Sequence, residues 1–303
     1  MFRQLGLIGC GLMGGSFALA LKQAGLVDHV VGYSQSPSSS KLAEKMGVID
    51  LAVPHARLAA WDSDLVLLAV PVSASEASLK AIRREFNPHT DLLIMDVGST
   101  KGDVAAAAER ALGSSAGLFV PAHPIAGKEV SGVAHADASL YAGKKVILTP
   151  THVTSRSRLQ KAKELWHRLG CSVETMTPEH HDAAFAAVSH LPHLLAFALV
   201  NAISQQPLGA QFLSLAGPGF RDFSRIAASE PRMWRDILLA NRKELQAQIH
   251  LFRHQLAALE DLISNADAET LERLIAQASS TRADWTLNGK PLDSKPENGK
   301  PQP

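Results

Sequence analysis

Leu5-Gly6-Leu7-Ile8-Gly9-Cys10-Gly11-Leu12-Met13-Gly14-Gly15 decides the fold. An apolar, strand-like run stops at Gly9, glycines follow in the G-x-G-x-x-G spacing, and an amphipathic helical stretch begins at once. Each glycine has a physical reason. Gly9 permits the tight turn, Gly11 lets the backbone approach a pyrophosphate, and Gly14 lets the helix pack closely on the strand, with the diphosphate at the helix N-terminus. A bare glycine motif also fits a turn before an ordinary core helix. The strand before it and the βαβ rhythm after it favour a dinucleotide site.

That rhythm continues outward. Leu5 to Ile8, Val30 to Tyr33, Leu65 to Val70, Leu92 to Met95, Leu118 to Val120 and Lys145 to Leu148 are short apolar or β-rich runs, with helical stretches such as Phe17 to Ala24 and Val104 to Leu112 between them. Such alternation predicts an α/β, Rossmann-like doubly wound parallel sheet. Arg156 to Leu169 reads as a further helix and Ser172 to Thr175 as a further strand; from His180 onward the apolar spacing is helical. The expected division is 1–152 for nucleotide binding with a helix-strand extension to about 178, then a helical domain over 179–283 and a disordered tail over 284–303.

Composition narrows the function. The chain has 303 residues, 46% of them hydrophobic, and a formal net charge of +1. That balance offers no basic patch for nucleic acid or an anionic membrane surface, so neither is expected as a partner. Two cysteines, Cys10 and Cys171, build no disulfide framework and suit a reducing compartment. A strand-like run follows Gln4 directly and the apolar stretches look short or broken, so a cytoplasmic protein without signal peptide or membrane span is expected. No metal is expected.

Two choices concern chemistry in the first half. At the end of the second strand, Tyr33-Ser34-Gln35-Ser36-Pro37 lacks the acidic residue that would bind a ribose and repel a 2′-phosphate. Ser34, Gln35 and Ser36 can donate to such a phosphate, and Lys41 is the nearest cation, which favours NADP over NAD. The cofactor-facing set is then Gly9, Gly11, Leu12, Met13, Gly14, Ser34, Gln35, Ser36 and Val70. Further on, Ala122-His123-Pro124-Ile125-Ala126-Gly127-Lys128-Glu129-Val130-Ser131-Gly132 places His123 on a glycine-bounded turn, where an imidazole beside a bound oxidant suits abstraction of a hydroxyl proton.

Two helical segments carry polar groups of interest. In Asp182 to Ala196, the side chains of Asp182, Ser189 and His193 fall on one stripe of an otherwise apolar helix, with His190 nearby and Pro192 expected to kink it. A satisfied core histidine is the bland reading, since an unpaired buried polar group costs about 1 to 3 kcal/mol. In Gly217 to Ser229, a Gly-Pro-Gly turn opens a helix whose one face carries Asp222, Arg225 and Ser229, an arrangement that holds Arg225 for a carboxylate. The bland reading there is a surface ion pair worth about 0.3 to 0.5 kcal/mol.

Taken together, Gly9 to Gly14, Asp96-Val97-Gly98-Ser99-Thr100-Lys101, His123 to Glu129, Ser189-His190-Leu191-Pro192-His193 and Gly219 to Arg225 resemble the prephenate dehydrogenase family, which acts on prephenate or arogenate (cyclohexadienyl dehydrogenases) in tyrosine biosynthesis. The resemblance spans about residues 4 to 285. It implies an all-helical dimerisation domain that interlocks in a homodimer, and oxidative decarboxylation with hydride transfer to NAD(P). It implies His123 as general base and Ser99 as the residue that orients His123 or the hydroxyl. His193 and Arg225 would hold substrate carboxylate, with Asp182, His190, Asp222 and Ser229 in support. Glu129 would pair with the arginine as a gate, and Trp234 would come from the second subunit. Lys128 departs from the family, which often has threonine there. Other β-hydroxyacid-type dehydrogenases and imine reductases share the glycine motif, but the lysine that the β-hydroxyacid group uses for acid-base work is missing from Asp182 to Gln205. A non-catalytic nucleotide sensor would have no need of His123, His193 and Arg225 together.

Overall fold

The computed structural model describes residues 2–83 and 91–286; of the expected tail, 287–303 lie outside the described residues. The nucleotide-binding part runs β1 (Phe2–Ile8), α1 (Leu12–Gln23), β2 (Val27–Tyr33), α2 (Pro37–Lys45), β3 (Leu51–Ala52), α3 (Ala56–Ala60), β4 (Leu65–Leu68), α4 (Ser75–Ile82), β5 (Leu93–Asp96), α5 (Gly102–Leu112) and β6 (Phe119–Val120). These strands form one parallel sheet in the order β3-β2-β1-β4-β5-β6. Alternate side chains feed two apolar layers. Leu5, Leu7, Leu65, Leu67, Leu93 and Met95 point to one face, and Val66, Leu68 and Ile94 to the other.

The later strands depart from the expected single sheet. β7 (Ala122–Pro124), β8 (Lys145–Leu148) and β9 (Ser172–Thr175) form their own sheet, with β7 antiparallel to β8 and β8 parallel to β9. Their runs are as apolar as those before them, so composition did not separate the two sheets. His123 therefore lies on a strand, opposite Ile147, and not on a turn. Between β8 and β9, α6 (Arg156–Arg168) buries Trp166 against Phe17 of α1 and against Tyr141, at ring-centroid distances of 5.1 and 5.3 Å. Each such pair adds about 0.5 to 1.5 kcal/mol beyond the area it hides. The Tyr141 hydroxyl donates to the Met13 carbonyl at 2.8 Å, tying the second sheet to the helix that follows the glycine turn.

Beyond β9 the chain is helical: α7 (Pro178–Phe185), a π turn (Ala186–His190), α8 (Leu191–Ser204), α9 (Gly209–Ser214), α10 (Pro218–Ser224), α11 (Pro231–Ala240), α12 (Arg242–Ser264) and α13 (Ala268–Asp284). Thr177 caps α7 by accepting the His180 N–H, with Pro178 in its first turn. Pro178–Ser204 is long and apolar enough by composition to cross a membrane, contrary to the expected short apolar stretches. It carries His181, Asp182 and His190, however, and their hydrogen bonds are made inside the protein. By compactness the first unit extends to Gln246, well past residue 152, and a second starts at Ala247. The buried Asn241 helps explain that extent, because its amide donates to the Asp182 carbonyl at 2.7 Å and contacts His190 Nδ1 at 3.0 Å. In the second unit Leu251, Leu256, Ile263 and Ile275 are exposed.

Candidate active site

The glycine turn fits a dinucleotide. Gly9 has φ +104°, and a Cβ there would strike the Ala69 carbonyl, with Val70 Cγ1 also close at 3.3 Å. At Gly14 a Cβ would strike the Gly9 carbonyl, whereas at Gly11 it would meet nothing within 4 Å. The turn is closed on the protein side and open at Gly11, where a pyrophosphate would approach. α1 carries no acidic residue in its first turn, so its N-terminal N–H groups face no competing carboxylate. At the end of β2, Ser34 Oγ accepts the Cys10 N–H at 2.8 Å, Ser36 Oγ meets Ser38 Oγ at 2.8 Å, and Gln35 is exposed. Leu12 is buried, and Met13 and Val70 are half-buried.

His123 is held on β7 by a buried ion pair. Asp96, the last residue of β5, pairs with Lys101, whose side chain is 0% exposed. Asp96 Oδ1 accepts the Ala122 N–H at 2.9 Å, and the Lys101 ammonium donates to the Ala122 carbonyl at 2.8 Å. The peptide groups on both sides of Ala122 are thus clamped, and the next residue is His123. The ring's Nδ1 lies 2.8 Å from His181 Nε2, and His181 Nδ1 lies 2.8 Å from Asp182 Oδ1. Asp182 also accepts the N–H groups of Lys101 and Gly102, each at 2.8 Å, which places its charge at the N-terminus of α5. Burial works against that charge, but the His181 hydrogen bond and the two backbone donors outweigh it and hold the carboxyl below its ordinary range.

Removal from water, then the electrostatic effects of His181, Lys101 and His190, push the His123 imidazole well below its ordinary range. A neutral imidazole is the form that accepts a proton, and it persists above the folded-state value. We expect log kcat at saturating prephenate to stay level as pH falls from 8 to about 6.5, the ordinary histidine value, and to decline only below it. A pH profile with its acid midpoint at or above that value would contradict this environment.

Several expected residues stand elsewhere. Ser99, on the loop after β5, makes no hydrogen bond to His123 among the described residues; the partner of that ring is His181. His181 is buried and stacks on Phe185 at 4.4 Å, and its only sequence signal was its position beside Asp182. Asp182, Ser189 and His193 do not share a stripe, because the π turn before Pro192 shifts the helical phase. Pro192 sits in the first turn of α8, directly after the π turn. His193 Nδ1 donates to the Ser189 carbonyl at 2.9 Å, and its ring stacks on Trp234 at 3.6 Å between centroids. Trp234 thus lies on His193 of its own chain. Burial lowers the His193 imidazole, and burial first among several causes brings His190 to about 4.

The carboxylate-binding face is also rearranged. α10 ends at Ser224 and a 3-10 turn spans Arg225–Ala228, so Asp222 and Arg225 are not aligned as on one α-helix. Asp222 pairs with Arg221 at 3.0 Å, Ser229 Oγ donates to the Ile226 carbonyl at 2.7 Å, and Arg225 pairs with Glu129. Lys128 is engaged by Asp137 at 2.9 Å. Beside Trp234, a cavity of about 350 Å³ is lined in part by Phe197, Asn201, Ser229 and Arg235.

Gly9, Ala69 and Asp96 all lie at the carboxyl ends of parallel strands, where open α/β sheets bind their ligands, and Ala122 is clamped to Asp96 so that His123 stands beside them. A neutral imidazole fixed there defines a dinucleotide-dependent dehydrogenase with a helical second part. The family described as "Prephenate dehydrogenase, nucleotide-binding domain" matches residues 17–175, and "Prephenate dehydrogenase, dimerization domain" matches 177–277. Prephenate dehydrogenase of Bacillus subtilis (strain 168) is 34% identical over 293 residues, which is 95% of this chain and 76% of that protein. Cyclohexadienyl dehydrogenase of Zymomonas mobilis is 32% identical over 285 residues, 93% of this chain and 96% of that protein. A crystal structure of prephenate dehydrogenase from A. aeolicus in complex with hydroxyphenyl propionate and NAD+ superposes with a TM-score of 0.87 at 39% identity, covering 94% of this chain and 98% of that one. The chain belongs to the prephenate dehydrogenase family.

Proposed function

We propose that this protein converts prephenate to 4-hydroxyphenylpyruvate and carbon dioxide in tyrosine biosynthesis, as a cytoplasmic homodimer. The observation that carries the reading is His123, neutral and clamped beside the carboxyl ends of the nucleotide-binding strands. Gly9, Gly11 and Gly14 would hold the cofactor, with Leu12, Met13 and Val70 around them; when bound, NAD(P) supplies the hydride acceptor. His123 takes the ring hydroxyl proton through Nε2, and Ser99 stands on the loop that would face that hydroxyl. The ring carboxylate leaves as carbon dioxide when the ring becomes aromatic, which makes the step irreversible. Arg225 and His193 hold substrate carboxylate, with Arg225 leaving Glu129 to do so. Because His193 Nδ1 already donates to Ser189, its Nε2 must gain a proton to donate to a carboxylate. His190, Asp182, Asp222 and Ser229 support these groups, and Trp234 backs the His193 ring.

The missing acid at the end of β2 supports NADP over NAD, since Ser34, Gln35 and Ser36 can donate to a 2′-phosphate and α2 has no acidic residue in its first turn. Arogenate, with an amine where prephenate has a keto group, is the second substrate in view. Exposed apolar side chains such as Val188 on the π turn and Leu251 on α12 support the dimer. Reduced-cofactor absorbance with each substrate and each cofactor tests the reading, and no reduction with any of the four pairs would overturn it.

Arg225→Ala is expected to raise KM for prephenate about tenfold to a hundredfold with a much smaller change in kcat, because a charge-assisted contact of about 1.5 to 3 kcal/mol is lost equally from ground and transition states. Lysine at 225 should restore only part, since its point charge forms no planar fork. Cofactor Kd serves as the control for folding, and an unchanged KM would return Arg225 to a plain surface pair with Glu129.

A further inference from the structure

We propose that His181 is a positioning residue for the base, which, oriented by Asp182, fixes His123 as the Nδ1–H tautomer and so leaves Nε2 free to accept the substrate proton. The inference rests on the reading of His123 as general base. It follows from donor and acceptor bookkeeping through a buried chain. The Asp182 carboxylate only accepts, and it already takes the N–H groups of Lys101 and Gly102. Its third contact, 2.8 Å from His181 Nδ1, must therefore carry a proton on that nitrogen. A neutral His181 then presents a lone pair at Nε2. The 2.8 Å contact to His123 Nδ1 is satisfied only if His123 donates there, and in a neutral ring this makes Nε2 the basic nitrogen.

The surroundings preserve that order. His181 is fully buried and stacked on Phe185, so its ring has no room to turn over. Burial holds the His181 imidazole below its ordinary range despite the opposing Asp182 hydrogen bond. Lys101 acts in the same direction, while Asp96 and Asp182 act in the other; His190 faces His123 from the π turn. If His181 were protonated, both its nitrogens would donate, His123 Nδ1 would have to accept, and Nε2 would hold the proton instead of receiving one. When substrate gives up its hydroxyl proton to Nε2, the resulting His123 imidazolium keeps its Nδ1–H on His181, so no bond in the chain has to be broken.

The test uses the full chain with ¹⁵N-labelled histidine. Long-range ¹H–¹⁵N spectra should show His123 protonated at Nδ1 and bare at Nε2 near pH 7.5, the assignment coming from His123→Asn. His181→Phe keeps a ring against Phe185 but offers no acceptor; His123 should then change to the Nε2–H form, and kcat should fall about 10²-fold, at the low end of what a positioned base supplies, with cofactor Kd and prephenate KM within about twofold. His181→Gln offers its amide oxygen near the place of Nε2, so it should keep the Nδ1–H form and recover most of kcat. His123 remaining Nδ1–H in His181→Phe, or a Gln variant as slow as the Phe variant while retaining the tautomer, would overturn the proposal. Full turnover in His123→Asn would instead remove the base assignment, and the tautomer spectra would be unaffected by that outcome.

Discussion

His123→Asn is expected to lower kcat by about 10²- to 10⁴-fold, the range over which a positioned general base contributes. The substitution keeps the backbone that holds the site. The Ala122 N–H and carbonyl remain on Asp96 and Lys101, and β7 remains paired with β8. The asparagine amide can donate toward His181 but offers no nitrogen with a lone pair for a hydroxyl proton. Cofactor Kd should stay within about twofold, because the groups facing the pyrophosphate lie on the glycine turn. Steady-state turnover with prephenate, with cofactor binding measured in parallel, is the check, and near-normal turnover would take His123 out of the chemistry.

Lys101→Met is expected to destabilise the fold by about 3 to 5 kcal/mol, the usual consequence of removing one partner from a buried ion pair. Both side chains are buried, at 0% and 3% exposure, so water screens little of the loss. Asp96 would keep the Gly98 and Ala122 N–H groups, but its negative charge would lose its cation, and the Ala122 carbonyl would lose its donor. The double variant Asp96→Asn with Lys101→Met should regain much of the stability, since no unpaired charge is left behind. Urea unfolding midpoints measure both effects. A Lys101→Met protein as stable as the parent would contradict this expectation.

The two variants separate what was legible from what was not. The glycine turn, the strand runs and the position of His123 could be read because each rests on local residue type and spacing. Lys101 was quoted only as part of a motif; nothing in Ser99-Thr100-Lys101 reveals that its ammonium is buried on a residue five positions earlier and on a carbonyl far along the chain. His181 escaped notice for the same reason, since its partner His123 is remote in sequence. Antiparallel pairing of β7 with β8 has no signature in the short runs themselves. The stripe on Asp182 to His193 and the face on Asp222 to Ser229 failed differently. Both assumed an unbroken 3.6-residue period, and the chain breaks it with a π turn in one and a 3-10 turn in the other. Glu129 meeting Arg225 came through resemblance, not through the residues around either of them.

The π turn divides one continuous helical rod into two differently aimed segments. Residues up to Phe185 hold the His123 ring, through His181 and Asp182, and residues after it present His193 to Trp234. An α-helix advances about 100° per residue, so adding or removing one residue between Ala186 and His190 would turn the helix after it by roughly that angle relative to His181 and Asp182. A single codon gained or lost there would swing His193 to a new bearing and break the contact of His190 with Asn241, whose amide also holds the Asp182 carbonyl.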